Sequence, residues 1–140
     1  MDAQTRKIIV ESAAPLFAAK GRFAEAFYDR LFEIAPEARS LFQRDFATQK
    51  RMLMAALAMV VGVLGDRAQL TATAAHLGRV HARRNVTHAH FVIGQRAFDM
   101  ALQDFFGPAC TDEMRSAWQS AYADLLAVME LAPADPDDAA

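Results

Sequence analysis

The sequence has few of the residues that cross-link a chain or interrupt regular structure. Its 140 residues include a single cysteine, Cys110, so no internal disulfide can form, and a lone cysteine is typical of a reducing compartment. Only 6 glycines and 5 prolines are present, which disfavours a loop-rich or disordered chain. Charged residues interrupt the first turns, so we expect no signal peptide and a cytoplasmic protein.

The sequence also lacks a membrane-spanning run and a basic cluster. The longest apolar run, residues 52–64, is shorter than the roughly 20 residues that cross a bilayer, and it predicts a buried helix instead. The 15 basic and 17 acidic residues give a net charge of −2, without the clustered cations that a nucleic-acid surface needs. We therefore expect neither a membrane nor a nucleic acid as a partner.

Apolar residues recur at helical spacing, and no segment alternates as a strand does, which predicts an all-α class. Residues 1–131 are expected to form one domain, and the acidic, proline-broken residues 132–140 a frayed tail. The predicted helices cover about 3–19, 22–34, 36–42 and 48–64, with a loop at 43–47, and further helices begin after Asp66, near Thr87 and at Thr111. Leu70, Ala74, Leu77 and His81 share one face, and the inward stripe of the last helix is Trp118, Ala121, Leu125 and Val128.

Three polar residues break the apolar faces. His81 ends an apolar stripe, where a neutral imidazole could be an axial ligand of haem iron while its other nitrogen donates to the carbonyl of Leu77. Spacing alone favours an ordinary packed histidine. Local spacing alone likewise makes Gln49 a solvated residue of the first turn of its helix, and Tyr28 and Phe42 ordinary core residues.

Taken together, these positions resemble the globin family, most closely single-domain bacterial haemoglobins and the globin domain of flavohaemoglobins. The resemblance extends from about residue 6 to residue 129. It rests on three stretches: residues 27–32 continuing through Pro36 to residues 41–42, Gln49 followed by Leu53, and residues 77–81 followed by Val86 and residues 90–91.

The resemblance implies a globin fold, a helical sandwich around a pocket for haem b. It makes His81 the iron ligand and Tyr28 and Gln49 the distal residues that stabilise a bound gas. Residues expected to contact the haem are Phe42, Leu53, Leu77, Val86, Phe91 and Arg84, and Arg79 and Arg83 are further candidates for its propionates.

Two positions depart from the family's pattern. Asn85 stands where relatives often have glycine, and asparagine also tolerates a left-handed helix end. Phe91 stands where flavohaemoglobin-like globins usually have a tyrosine that joins a glutamate of the last helix to polarise the proximal histidine. Phe91 cannot make that hydrogen bond and Glu130 does not align with the glutamate, so we expect weaker peroxidase-like chemistry.

The resemblance favours reversible binding of O₂, and of CO or NO, at a five-coordinate iron. One alternative is nitric oxide dioxygenation with electrons from a separate flavin reductase, which leaves open whether the protein is an enzyme. Another is a gas sensor or a haemless globin-fold module. Both a monomer and a homodimer are compatible with the sequence.

Overall fold

The computed structural model describes residues 1–19, 21–42 and 45–131. These residues form six α-helices and two short 3-10 helices and no strand, which confirms the all-α prediction. The α-helices are α1 Ala3–Ala18, α2 Arg22–Ile34, α3 Phe46–Gly62, α4 Arg67–Arg83, α5 His88–Phe106 and α6 Asp112–Glu130, and the 3-10 helices are Pro36–Leu41 and Gly107–Ala109. The expected tail and residues 43–44 of the expected loop lie outside the described residues. None of the helices in the described ranges is both long and apolar enough to cross a membrane.

Short polar side chains begin most of the helices. The side chains of Asp2, Asp45, Asp66, Thr87 and Thr111 each accept a hydrogen bond from the backbone N–H three residues later, which satisfies a donor that the first turn leaves unpaired. Asn85 follows α4 with a φ of 61°, a conformation that asparagine adopts at low cost. The chain can therefore turn directly from α4 into α5.

The predicted start of α3 was wrong by two residues. Phe46 and Ala47 belong to the helix, whereas the sequence placed them in a loop. The reason is the cap: the carboxylate of Asp45 accepts from the N–H of Thr48 at 3.0 Å and from its hydroxyl at 2.8 Å. Thr48 is thus inside the first turn.

The core lies between α1, α2, α5 and α6. Ile9, Leu16, Phe23 and Leu102 are its largest fully buried side chains. The indole N–H of Trp118 donates to the hydroxyl of Ser12 at 2.9 Å and ties α6 to α1. α6 also packs on α4 and α5, so its buried residues include Leu126 and Met129. The expected Leu125 and Val128 are only half-buried.

The prediction that residues 52–64 form a buried helix was wrong, because none of the residues of α3 is fully buried. Met52 and Met59 are 39% and 48% exposed, and Leu53 and Leu57 are half-buried. The length of an apolar run indicates a helix but not how many of its sides are covered. An apolar surface therefore remains along α3.

Candidate functional site

Tyr28 on α2 and Gln49 on α3 meet in a mostly apolar environment. The side-chain amide of Gln49 donates to the hydroxyl oxygen of Tyr28 at 3.1 Å. Tyr28 is only 4% exposed, and burial raises its pKa, although the bond from Gln49 lowers it slightly. Because that oxygen accepts from Gln49, the phenol keeps its own proton available to donate.

Aromatic rings enclose this pair. The ring of Tyr28 lies 5.4 Å from the ring of Phe42, 5.8 Å from that of Phe46 and 6.0 Å from that of Phe32, measured between centroids. Leu53 packs against the same group. We call Tyr28, Phe42, Gln49 and Leu53 the distal cluster. All four were predicted from the sequence, whereas Phe46 was missed because it was assigned to a loop.

His81 lies near the end of α4 with its ring half-buried. Its Nδ1 is 2.6 Å from the carbonyl oxygen of Leu77, so the neutral tautomer donates there and leaves the lone pair on Nε2. Burial lowers the pKa of His81, opposed by the hydrogen bond to Leu77. Among the described residues, Nε2 has no recorded hydrogen-bond partner, which suits a neutral metal ligand.

The other predicted proximal residues lie around His81. The ring of Phe91 is 5.5 Å from the imidazole, tilted by 47°. The backbone N–H of Val86 donates to the carbonyl of His81 at 3.1 Å. Arg84 is half-buried. It lines a polar cavity of about 320 Å³ together with Ser40, Leu41, Arg83 and Asn85, and Arg79 is not among the lining residues. Guanidinium groups at such a cavity suit a carboxylate.

One residue near His81 was missed. Tyr122 on α6 donates its hydroxyl to the backbone carbonyl of Phe91 at 3.1 Å. Its position one turn after Trp118 places it on the inward face of α6, and that spacing was the available signal. Glu130 pairs with the imidazole of His88, so its carboxylate is engaged away from His81.

The predicted residues therefore form two groups, the distal cluster and the proximal group of Leu77, His81 and Phe91. Within the part of the chain that the structure describes, no hydrogen bond or ring contact joins the two. Helix α5 borders both, since its Ile93 packs against the distal cluster and its Phe91 against His81.

The donor set indicates which metal centre the pocket could hold. Among the described residues, no cluster of three or more His, Cys, Asp or Glu side chains could bind a bare metal ion. A single neutral imidazole can complete the coordination of an iron that a porphyrin already holds. The distal cluster and the exposed apolar side of α3 supply apolar surface, and Arg83 and Arg84 supply cations for carboxylate substituents. The residues present therefore fit haem.

Comparisons with known proteins agree with this architecture. The family model described as Globin matches residues 25–129. The chain is 30% identical over 134 residues to a flavohaemoprotein of Rhizobium meliloti (strain 1021), covering 91% of this chain and 33% of that protein. It is 34% identical over 118 residues to leghaemoglobin 3 of Sesbania rostrata, covering 76% and 80% of the two chains.

A solved structure is similar over almost the whole chain. It is an engineered carbene transferase, a variant of a proposed nitric oxide dioxygenase from Rhodothermus marinus, with a TM-score of 0.83, 26% identity and coverage of 94% and 92% of the two chains. The helical fold and the single neutral imidazole of His81 indicate the class of haem proteins. The chain belongs to the globin family, whose members bind haem. It spans about a third of the length of the flavohaemoprotein.

Proposed function

We propose that this globin binds haem b through His81 and reversibly binds O₂, CO or NO on the opposite face of the haem. The observation that carries the proposal is the hydrogen bond between Gln49 and Tyr28 inside an aromatic cluster. In apolar surroundings, the hydrogen-bond donors of Tyr28 and Gln49 can stabilise a small bound ligand that gains negative charge.

The chain's residues divide the work of holding the haem. Nε2 of His81 would hold the haem iron, and the carbonyl of Leu77 fixes the tautomer that makes this nitrogen available. The apolar contacts would come from Phe42, Leu53, Leu77, Val86 and Phe91, and Arg84 would pair with a propionate. When bound, ferrous haem supplies an iron with one coordination position open to a diatomic gas.

The distal donors set which gas is retained. O₂ held by ferrous haem would carry partial negative charge and accept hydrogen bonds, whereas CO would remain nearly apolar. The proton of Tyr28 and the amide of Gln49 therefore favour O₂ over CO. Burial raises the pKa of Tyr28, so this donor stays protonated at neutral pH.

The central test is an absorption spectrum of the purified protein in the ferric, ferrous and CO-bound forms. We expect a Soret band, a five-coordinate ferrous spectrum and a CO complex, all lost or altered in His81→Ala. The matched control is His76→Ala, because His76 is an exposed histidine of the same helix. A His81→Ala protein with an unchanged ferrous spectrum would overturn the assignment, and absence of any Soret band would favour a haemless module.

Nitric oxide dioxygenation is a second candidate, favoured by the similarity to the Rhodothermus marinus protein described as a proposed nitric oxide dioxygenase. This reaction converts O₂, NO and one electron to nitrate, and a separate reductase would have to supply the electron. The test supplies NADH and a separate flavin reductase and follows NO consumption and nitrate. Multiple turnovers support the enzyme, whereas a stable oxygenated form that consumes NO only once supports gas binding alone.

A further inference from the structure

The C-terminal half of α6 touches the proximal segment, defined as residues 77–91, at three places. The hydroxyl of Tyr122 donates to the carbonyl of Phe91. The backbone of Met129 lies against Gly78. Glu130 pairs with His88 at the start of α5. The two elements that flank His81 are thus both held by one helix.

The contact at Gly78 is between two backbones. A Cβ atom at this position would lie 2.4 Å from the carbonyl oxygen of Met129 and 2.8 Å from its Cα. Both atoms are part of a helix and cannot rotate away, so a side chain here would push α4 and α6 apart. Gly78 adjoins Leu77, whose carbonyl accepts the hydrogen bond from Nδ1–H of His81, and it precedes His81 by three residues.

The contact at Tyr122 is also close, although less tight than the contact at Gly78. A Cβ at Gly94 would lie 3.0 Å from the Tyr122 hydroxyl oxygen, so the absence of a side chain at Gly94 lets that hydroxyl reach α5. Tyr122 is largely buried, which raises the pKa of its phenol and keeps it a donor. Its acceptor belongs to Phe91, whose ring lies beside the imidazole of His81.

We propose that the end of α6 fixes the position and ring orientation of His81, with Gly78 and Tyr122 as its positioning residues. The support combines backbone packing between Gly78 and Met129 with the hydrogen bond from the Tyr122 hydroxyl to the carbonyl of Phe91. It differs from a charge relay, because the Glu130 carboxylate is bound to His88. That His81 is an iron ligand rests on the proposed function, whereas the contacts of α6 that position its ring do not depend on haem.

The first experiment compares Gly78→Ala with Gly62→Ala. Gly62 also belongs to a helix, as the last residue of α3, but an added Cβ there would meet no atom within 4 Å. The protein is labelled with ¹⁵N-histidine and studied without haem. The chain has 4 histidines. We expect the ring resonances of His81 to shift in Gly78→Ala, with those of exposed His76 unchanged, and no shift of His81 in Gly62→Ala. Identical His81 resonances in both variants would overturn the proposal.

The second variant, Tyr122→Phe, removes one hydroxyl and tests the positioning of His81 even if Gly78→Ala fails to fold. We expect its His81 resonances to shift as well, and unchanged resonances in a folded Tyr122→Phe protein would overturn the proposal. In the haem-loaded protein, both variants should move the iron–histidine stretching frequency. In Tyr122→Phe, haem transfer to an excess of acceptor apoglobin should be about fivefold faster, the effect expected for one lost hydrogen bond.

The two proposals fail in different ways. A wild-type protein with no Soret band would contradict the proposed function while leaving the histidine spectra of the apoprotein as the test of the α6 contacts. A haem-loaded protein whose iron–histidine frequency is the same in wild type, Gly78→Ala and Tyr122→Phe would contradict the proposed positioning while leaving haem binding intact.

Discussion

At the level of single residues, the side chain of Tyr28 differs from that of phenylalanine by one hydroxyl, and the contribution of this hydrogen-bond donor to gas binding can be measured. Removing it in Tyr28→Phe should speed O₂ dissociation by about tenfold or more, since a hydrogen bond to a partly charged group in apolar surroundings is lost. Stopped-flow dissociation measures this rate. CO dissociation in the same variant is the internal control and should change little. Equal O₂ release from Tyr28→Phe and wild type would remove Tyr28 from the distal role.

The residues that the sequence revealed differ from those it did not. Tyr28, Gln49 and His81 are chemically conspicuous on apolar faces and stand in register with a known family, and the structure joins Tyr28 to Gln49. Gly78 lies in one of the stretches that resemble the family, and Tyr122 lies on the inward face of α6, but neither signal predicts the contact that each residue makes. Their role depends on which backbone lies opposite, 51 positions away from Gly78 at Met129 and 31 positions away from Tyr122 at Phe91. Periodicity identifies the inward face of a helix but not its partner.

At the scale of elements, the helix class and order were predictable because glycine, proline and capping residues mark the ends. The sequence was a weaker guide to which faces of each helix are buried. α6 buries Leu126 and Met129 besides Trp118, because it packs on α1, α4 and α5 at once and needs a broader apolar surface than one stripe. In α3 the opposite holds, and its apolar run is covered only in part. How completely a helix is covered depends on its neighbours, which the sequence of the helix does not specify.

The start of α3 links an element's end to the distal cluster. Asp45 caps the turn that carries Phe46 and Gln49, and its carbonyl accepts from the N–H of Gln49 at 3.0 Å. Asp45→Ala should fray this turn, lower the urea midpoint of unfolding and raise the O₂ dissociation rate by about twofold to fivefold, up to the effect of one weakened hydrogen bond. The control is Asp66→Ala, which removes the equivalent cap of α4. It should lower the midpoint similarly without changing O₂ release.

The same cap predicts a pH dependence. The hydrogen bonds from Thr48 hold the pKa of Asp45 below its ordinary value. A carboxyl group whose pKa is lower in the folded state stabilises the fold above its unfolded pKa, and this contribution is lost as the pH falls through the folded value. The stability difference between wild type and Asp45→Ala should therefore shrink at acid pH. A difference that stays constant down to pH values below both pKa values would contradict the cap.

At the scale of the whole molecule, the bond between Ser12 and Trp118 joins the two ends of the chain. Ser12 is the buried polar residue of the described core and accepts the indole N–H at 2.9 Å. Ser12→Ala leaves that buried donor unpaired and should lower the free energy of unfolding by about 1–3 kcal/mol. Urea unfolding followed by circular dichroism measures it. Ser116→Ala, at an exposed serine of α6, should change the same quantity by less than about 0.5 kcal/mol.

The ionisation of the two tyrosines should make the stability of the protein fall at alkaline pH. The chain contains 2 tyrosines, and burial raises the pKa of both Tyr28 and Tyr122. The unfolded chain loses these protons near the ordinary pKa of about 10, while the folded chain retains them, so the free energy of unfolding must fall as the pH rises above that value. An alkaline titration should show tyrosinate absorbance appearing together with the loss of helical circular dichroism, and the denatured protein should titrate earlier. Reversible ionisation of both phenols near pH 10, with the helices intact, would mean that neither hydroxyl is enclosed, and both the distal cluster and the contact between α6 and Phe91 would then be wrong.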